Sequence, residues 1–205
     1  MAGDTRARML AAATEALRRG GVAGMSFTEV LGASGAARGA IYHHFPGGKA
    51  QLVAEAAAQH GVDVREHLAA LSGDSPTTVV RAFLAAVRPV VAASAAGSGC
   101  AVAAVALAAR PSEVTDGPTQ SAAPPTQSAA PASEVAATAF ESWVDELTTA
   151  LTTAGTPPTE AVELATALIA VLEGAHVLCR AAGHLGPFER AAAAMESLVS
   201  GRYPG

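Results

Sequence analysis

Charge, aromatic rings and cysteine are all scarce in this chain. Of 205 residues, 15% are charged, 4% are aromatic and two are cysteine, while Lys49 is the single lysine. The two cysteines, Cys100 and Cys179, each lie in an apolar run. They offer neither a disulfide framework nor the paired spacing of a metal site, so a reduced, cytoplasmic protein without metal is expected. Few rings in a composition that is 50% hydrophobic and rich in alanine suit one or two helical domains. Near the start, the apolar stretch from Met9 to Thr14 is closed by Glu15, so no signal peptide is expected. Pro89 to Ala109 carries no charge and is long enough to test as a membrane span. Gly97-Ser98-Gly99 interrupts it and its alanines are weakly hydrophobic. Two buried helical pieces are predicted there, and no membrane partner.

The net charge of −5 argues by itself against nucleic acid, but the charge is unevenly placed. Residues 1–52 hold six basic side chains (Arg6, Arg8, Arg18, Arg19, Arg38, Lys49) against Asp4, Glu15 and Glu29; the remainder holds seven basic against fifteen acidic. A small basic head on an acidic body is the arrangement expected when only the head meets phosphate.

Within that head, Ser26 to Lys49 reads as two short helices and the start of a third. Ser26 with Glu29 three residues on forms a capping box, so a helix is expected from Phe27, with Phe27, Val30 and Leu31 facing inward. Ser34-Gly35 ends it. A second helix over about Ala36 to His44 buries Ile41 and Phe45, and therefore turns Arg38, Gly39, Tyr42 and His43 outward. Gly39 inside a helix costs about 1 kcal/mol relative to alanine, which suits a place where another backbone approaches closely. Arg38 forks onto a guanine edge or a phosphate, and Tyr42 and His43 supply a hydroxyl and a small polar ring. After Pro46-Gly47-Gly48, Lys49 opens the next helix beside free backbone N–H groups.

The run Gly39-Ala-Ile-Tyr-His-His-Phe45, followed by Lys49, resembles the helix-turn-helix signature of the TetR family of bacterial transcriptional regulators. Ser34 to Lys49 is similar to the LmrA/YxaF-like branch of that family. The likeness is close over about residues 4–60; beyond them it is mainly helical pattern, with some likeness at Gly99-Cys100 and around Trp143. It implies an all-α fold: a three-helix DNA-binding head over 1–48 and a ligand-binding and dimerisation body over 49–205. It also implies DNA contacts from Thr28, Arg38, Gly39, Tyr42, His43 and Lys49, with Ala40 the small neighbour that permits close approach. Ala37 departs from the pattern, since relatives often carry a serine, threonine or proline there, and a hydroxyl cap or phosphate contact is lost. His44 reads better as helix-end packing than as a base reader.

The first helix is expected to be capped by Asp4 or Thr5, to face Leu10, Ala13 and Leu17 inward, and to stop at Gly20-Gly21. A long helix from Lys49 to about Leu71 joins head to body. Further helices are expected from Thr77, with a kink at Pro89, over Cys100–Ala109, from Glu134, over about 160–182 after a Thr159 cap, and over about 188–199. Between them, residues 110–133 contain Pro-Thr-Gln-Ser-Ala-Ala-Pro twice, at 118–124 and 125–131, and read as a disordered inserted loop. The last two helices are too apolar for a monomer's outer layer. The resemblance implies that they form a four-helix bundle with a second copy.

These features predict a homodimeric repressor released from a palindromic operator by a small apolar or amphipathic ligand, with no cofactor. The ligand's walls are expected from Phe83, Val87, Val102, Leu107, Phe140, Trp143, Leu147, Leu172 and His176, with Glu173 and Cys100 as polar handles. Two rivals remain. One is a DNA-binding dimer without inducer, which a self-filled body would favour. The other is an enzyme with Cys100 as nucleophile, His176 as base and Glu173 as orienter, although no local catalytic signature surrounds them.

Overall fold

A computed structural model of the chain describes residues 2–108 and 132–203. The expected loop over 110–133 lies outside the described residues, save its last two. Among the described residues there are nine helices: α1 Ala2–Gly24, α2 Phe27–Ser34, α3 Ala40–His44, α4 Gly48–Ala69, α5 Pro76–Ala95, α6 Ala101–Ala108, α7 Ala132–Thr153, α8 Pro158–Ala182 and α9 Gly186–Arg202. The protein is all-α.

Two cores hold these helices. In the head, Met9, Leu10, Ala13 and Leu17 of α1 meet Val30 of α2, Ile41 of α3 and Phe45 just past its end. This core extends beyond residue 48. Leu52, Val53, Ala56 and Ala57 of α4 belong to it, and so do Ala101 and Val105 of α6. The body core is built from the inward stripes of α5 (Val79, Phe83, Val87), α7 (Trp143, Leu147, Leu151) and α8 (Ala165, Leu168, Leu172), closed by Phe188 and Val199 of α9. Each large apolar side chain so buried contributes roughly 1.5–3 kcal/mol. Val102 of α6 faces the body core while its neighbours Ala101 and Val105 face the head. The all-apolar α6 is therefore a wedge between the two, and has no polar side to expose.

The chain departs from expectation at several helix ends. α1 bends at Gly21 (φ 64°, ψ −172°) and regains helix up to Gly24. α5 begins at Pro76, capped by Ser75 accepting from Thr78 N, and runs unbroken through Pro89 to Ala95. Pro89 and Ala85, whose carbonyl loses its donor, are both exposed, so the missing bond leaves no buried group behind. Thr159 does not cap α8; Pro157 occupies that position and Pro158 opens the helix, where a missing N–H costs nothing. By length and composition α5 and α8 could each cross a membrane, but their apolar stripes enter the body core.

Head and body are also latched by polar contacts. Arg18 Nε donates to Gly99 O at 3.0 Å and Arg180 Nη2 donates to Arg19 O at 2.9 Å.

Candidate nucleic-acid interface and ligand cleft

The candidate reading surface is built on α2 and α3. Ser26, in extended backbone, accepts from Glu29 N at 3.2 Å, and Gly35 in the left-handed region (φ 66°) ends α2. Only half of the expected capping box forms, because the Glu29 carboxylate takes Arg19 Nη2 at 2.8 Å instead. Ile41 and Phe45 are fully buried, and that anchoring leaves Tyr42 65% exposed and His43 exposed beside it. The Tyr42 ring keeps one contact, edge-on to Phe27 at 6.0 Å, which restricts its swing.

One expectation is corrected here. The second helix does not start at Ala36, and Gly39 is not inside it: residues 38–39 form a turn closed by Ala40 N donating to Ala37 O at 2.9 Å, and Gly39 is the N-cap. A methyl added at Gly39 would meet nothing in the protein within 4 Å. Its bare side faces outward. Thr28, Arg38 and Lys49 are likewise exposed, Ala40 is half-buried, and His44 is half-buried against His43 with ring centres 5.0 Å apart.

The ion pairs sort the head's basic residues. Arg6 pairs with Glu55 and lies over the Phe45 ring, Arg8 pairs with Asp4, and Arg18 and Arg19 pair with Glu15, Arg19 also with Glu29. Arg38 and Lys49 have no such partner among the described residues. These two residues flank α3 in sequence.

The body holds an open cleft of about 1120 Å³. Its walls come from the end of α1 (Leu17 to Ala23), Gly99 and Cys100, the outer side of α6, Phe140 to Asp145 on α7, and Thr166 to Arg180 on α8. Of the expected ligand residues, Cys100, Leu107, Phe140, Glu173 and His176 line it. Phe83, Val87, Val102, Trp143, Leu147 and Leu172 do not, because they fill the body core instead. Sequence reading missed the α1 wall altogether. Leu17 lies more than eighty positions from Cys100 in sequence, and local pattern does not report that approach. Ile169 and Val144 were visible as apolar helix positions, but nothing marked them as facing a cavity.

The polar floor of the cleft is small and unusual. The Cys100 thiol lies beside the Glu173 carboxyl, and burial, helped by that carboxylate, pushes the thiol well above the usual range. Burial raises Glu173 to about 7 against the opposing effect of Cys100, and its Oε1 is buried without a partner among the described residues. His176 Nδ1 shares a 2.5 Å hydrogen bond with Ser94 Oγ; burial, then Arg18 and His60, push it down to about 4. This arrangement does not make a nucleophile. The thiol is held protonated and the imidazole is bonded to serine rather than to sulfur. Among the described residues no cluster of histidine, cysteine and carboxylates suits a metal ion.

Comparison with known proteins agrees with this layout. Residues 9–56 match the profile described as "Bacterial regulatory proteins, tetR family", and residues 118–194 that described as "Transcriptional regulator LmrA/YxaF-like, C-terminal domain". The chain is 31% identical over 201 residues to an uncharacterised HTH-type transcriptional regulator of Mycobacterium tuberculosis, spanning 97% of this chain and 96% of that one. It is 36% identical over 84 residues to the HTH-type transcriptional regulator LmrA of Bacillus subtilis, 40% of this chain and 45% of LmrA. The crystal structure of a TetR transcriptional regulator from Chloroflexus aurantiacus is similar with a TM-score of 0.73 at 25% identity, over 98% of this chain and 97% of that one. Another from Legionella pneumophila gives 0.75 at 20%, over 94% and 95%.

Proposed function

From the premise that this chain belongs to the TetR family of bacterial transcriptional regulators, we propose that it is a cytoplasmic homodimeric repressor, released from a palindromic operator by a small molecule in the body cleft. The observation that carries the DNA reading is the charge census of the head. Four of its six basic side chains are spent on internal carboxylates, while Arg38 and Lys49 have no ion-pair partner among the described residues and stand on either side of a helix anchored by Ile41 and Phe45. Thr28, Gly39, Ala40, Tyr42 and His43 complete the contact surface, with Arg38, Tyr42 and His43 aimed at bases and Lys49 at phosphate.

Dimerisation is supported by apolar side chains that the single chain leaves in water: Val162, Val177 and Leu178 on α8 and Leu198 on α9. A second copy packed on this side would form a four-helix bundle and set two recognition helices about 34–36 Å apart, one helical turn of DNA. The cleft favours an inducer over the inducer-free rival, because its volume is that of a drug-sized site and is not filled by its own side chains. Its α1 wall gives a ligand direct contact with the head. Anisotropy titration of the purified protein with the DNA upstream of its own coding region, alongside sedimentation equilibrium, tests the reading. A palindromic footprint bound by two or four chains is expected. Binding that does not discriminate this DNA from a scrambled duplex would overturn it.

A further inference from the structure

We infer that the body cleft selects organic cations: its ligand is an amphipathic amine or quaternary ammonium whose charge rests against Glu173 while its apolar part lies along α6 and Phe140. This deepens, and rests on, the reading of the cleft as the ligand site.

The starting point is Glu173 itself. It lines a cleft whose walls are otherwise mainly apolar, and its Oε1 is buried with no hydrogen-bond partner among the described residues. A buried acceptor left unpaired carries a desolvation penalty of about 1–3 kcal/mol, more if charged, which a ligand donor would relieve. Glu173 makes no ion pair among the described residues, the Cys100 thiol lies beside it, and His176, one turn on along α8, is bonded to Ser94 and held neutral.

Two further carboxylates share that sign. Glu141 and Asp145, four apart on α7, line the same cleft, are exposed, and have no ion-pair partner among the described residues. They form a negative rim through which a cation passes toward Glu173. Arginines also line the cleft: Arg18 spends donors on Gly99 O and Glu15, Arg19 on Glu15 and Glu29, and the exposed Arg180 spends Nη2 on Arg19 O, two turns along α8 from Glu173. An anion at Arg18 or Arg19 would compete with these carboxylates. Phe140 adds an aromatic ring to the cleft wall, and such a ring attracts a cation held near its face.

Calorimetry on the full-length protein without DNA tests this with three probes of one chain length, each below its micelle concentration: decyltrimethylammonium, decyl glucoside and decanoate. The ammonium is expected to bind saturably at least tenfold tighter than the other two. Glu173→Gln, which keeps shape and removes charge, is expected to erase that preference, while Glu66→Gln, outside the cleft, leaves it intact. Should Glu173→Gln not fold, the Glu141→Gln/Asp145→Asn double variant at the exposed rim decides, with an expected several-fold loss for the ammonium alone. Equal binding of all three probes, preference for decanoate, no binding at all, or an ammonium preference that survives these changes would each overturn the inference. DNA is absent from the measurement, so its outcome is separable from the repressor reading. Cation binding that leaves operator affinity unchanged removes the switch and keeps the selectivity; release of DNA by the glucoside alone does the reverse.

Discussion

The indole Nε1 of Trp143 donates a 2.8 Å hydrogen bond to the carbonyl of Gly61, both groups buried, so the helix that carries the head is pinned to the centre of the body. Glycine is needed at the crossing, because a methyl at Gly61 would lie 2.9 Å from Ala139 Cβ. Trp143 is thus a strut between α4 and α7 rather than a ligand wall. Trp143→Phe keeps most of the packing and loses the bond, leaving the carbonyl unmet, for an expected cost of about 1–3 kcal/mol. Trp143→Ala adds a cavity and is expected to cost about 3–5 kcal/mol. Denaturant melts of the two variants check the order. Equal, small losses would mean the strut bears little. The ring still reports on the cleft at one remove, since Phe140 lines the cleft and meets Trp143 edge-on at 5.1 Å.

The floor of the cleft predicts two opposed pH dependences. Glu173 is raised from 4.5 to about 7, chiefly by burial, so the folded state holds its proton longer than the unfolded one; that contribution is complete below pH 4.5 and is lost as pH rises through 7. His176 is lowered from 6.5 to about 4, again chiefly by burial, so its contribution is present above pH 6.5 and is lost as pH falls through 4. Each shift corresponds to something on the order of 3 kcal/mol. Between about pH 4.5 and 6.5 the two slopes cancel in the native chain. Glu173→Gln removes one of them: the variant is expected to melt several degrees above the native protein at pH 8 and to lose that advantage by pH 5. A melting-temperature difference that does not vary with pH would show that Glu173 does not titrate in this range.

What the sequence revealed and what it hid follow from where each signal resides. α2 was legible to the residue because its ends are local chemistry, Ser26 at one and Gly35 at the other. The start of α3 was not, since Ala36, Ala37 and Arg38 are good helix formers and only the turn from Ala37 to Ala40 excludes them. The outward set on α3 survived this error because it depends on Ile41 and Phe45 being buried, not on where the helix begins. Most of the cleft was illegible. Trp143, Leu147 and Leu172 have the same apolar character whether they pack or bind, and the α1 wall arrives from a distant stretch. Glu173 was among the five expected residues that do line the cleft, a lone acid far along an apolar helix whose contrast with its neighbours does not depend on packing.

On the head, Arg38→Ala and Tyr42→Ala are expected each to weaken specific binding by roughly 1–3 kcal/mol while leaving affinity for scrambled DNA less affected. Lys49→Ala is expected to weaken all sequences alike and to reduce the salt slope by about one. Neither Arg38 nor Lys49 takes part in an ion pair among the described residues, so their removal has little internal cost. Titrations at several salt concentrations separate the two behaviours, and unchanged operator affinity in both Arg38→Ala and Tyr42→Ala would remove α3 as the recognition helix.

Gly39 offers the cleanest separation of folding from binding. Its backbone (φ −70°, ψ −21°) is one that alanine adopts freely, and an added methyl meets nothing in the protein within 4 Å. Replacing glycine with alanine also restricts the unfolded chain, so the free protein is expected to be unchanged or to gain up to about 1 kcal/mol. On DNA the same methyl points away from the protein, at the start of the helix between Arg38 and Tyr42, where phosphate or a groove wall would pass. Gly39→Ala is therefore expected to hold or raise the melting temperature while lowering operator affinity, and Gly39→Val is expected to lower it further. If affinity is retained in both variants, no DNA backbone approaches this point, and the contact surface has to be moved toward Thr28 and Lys49.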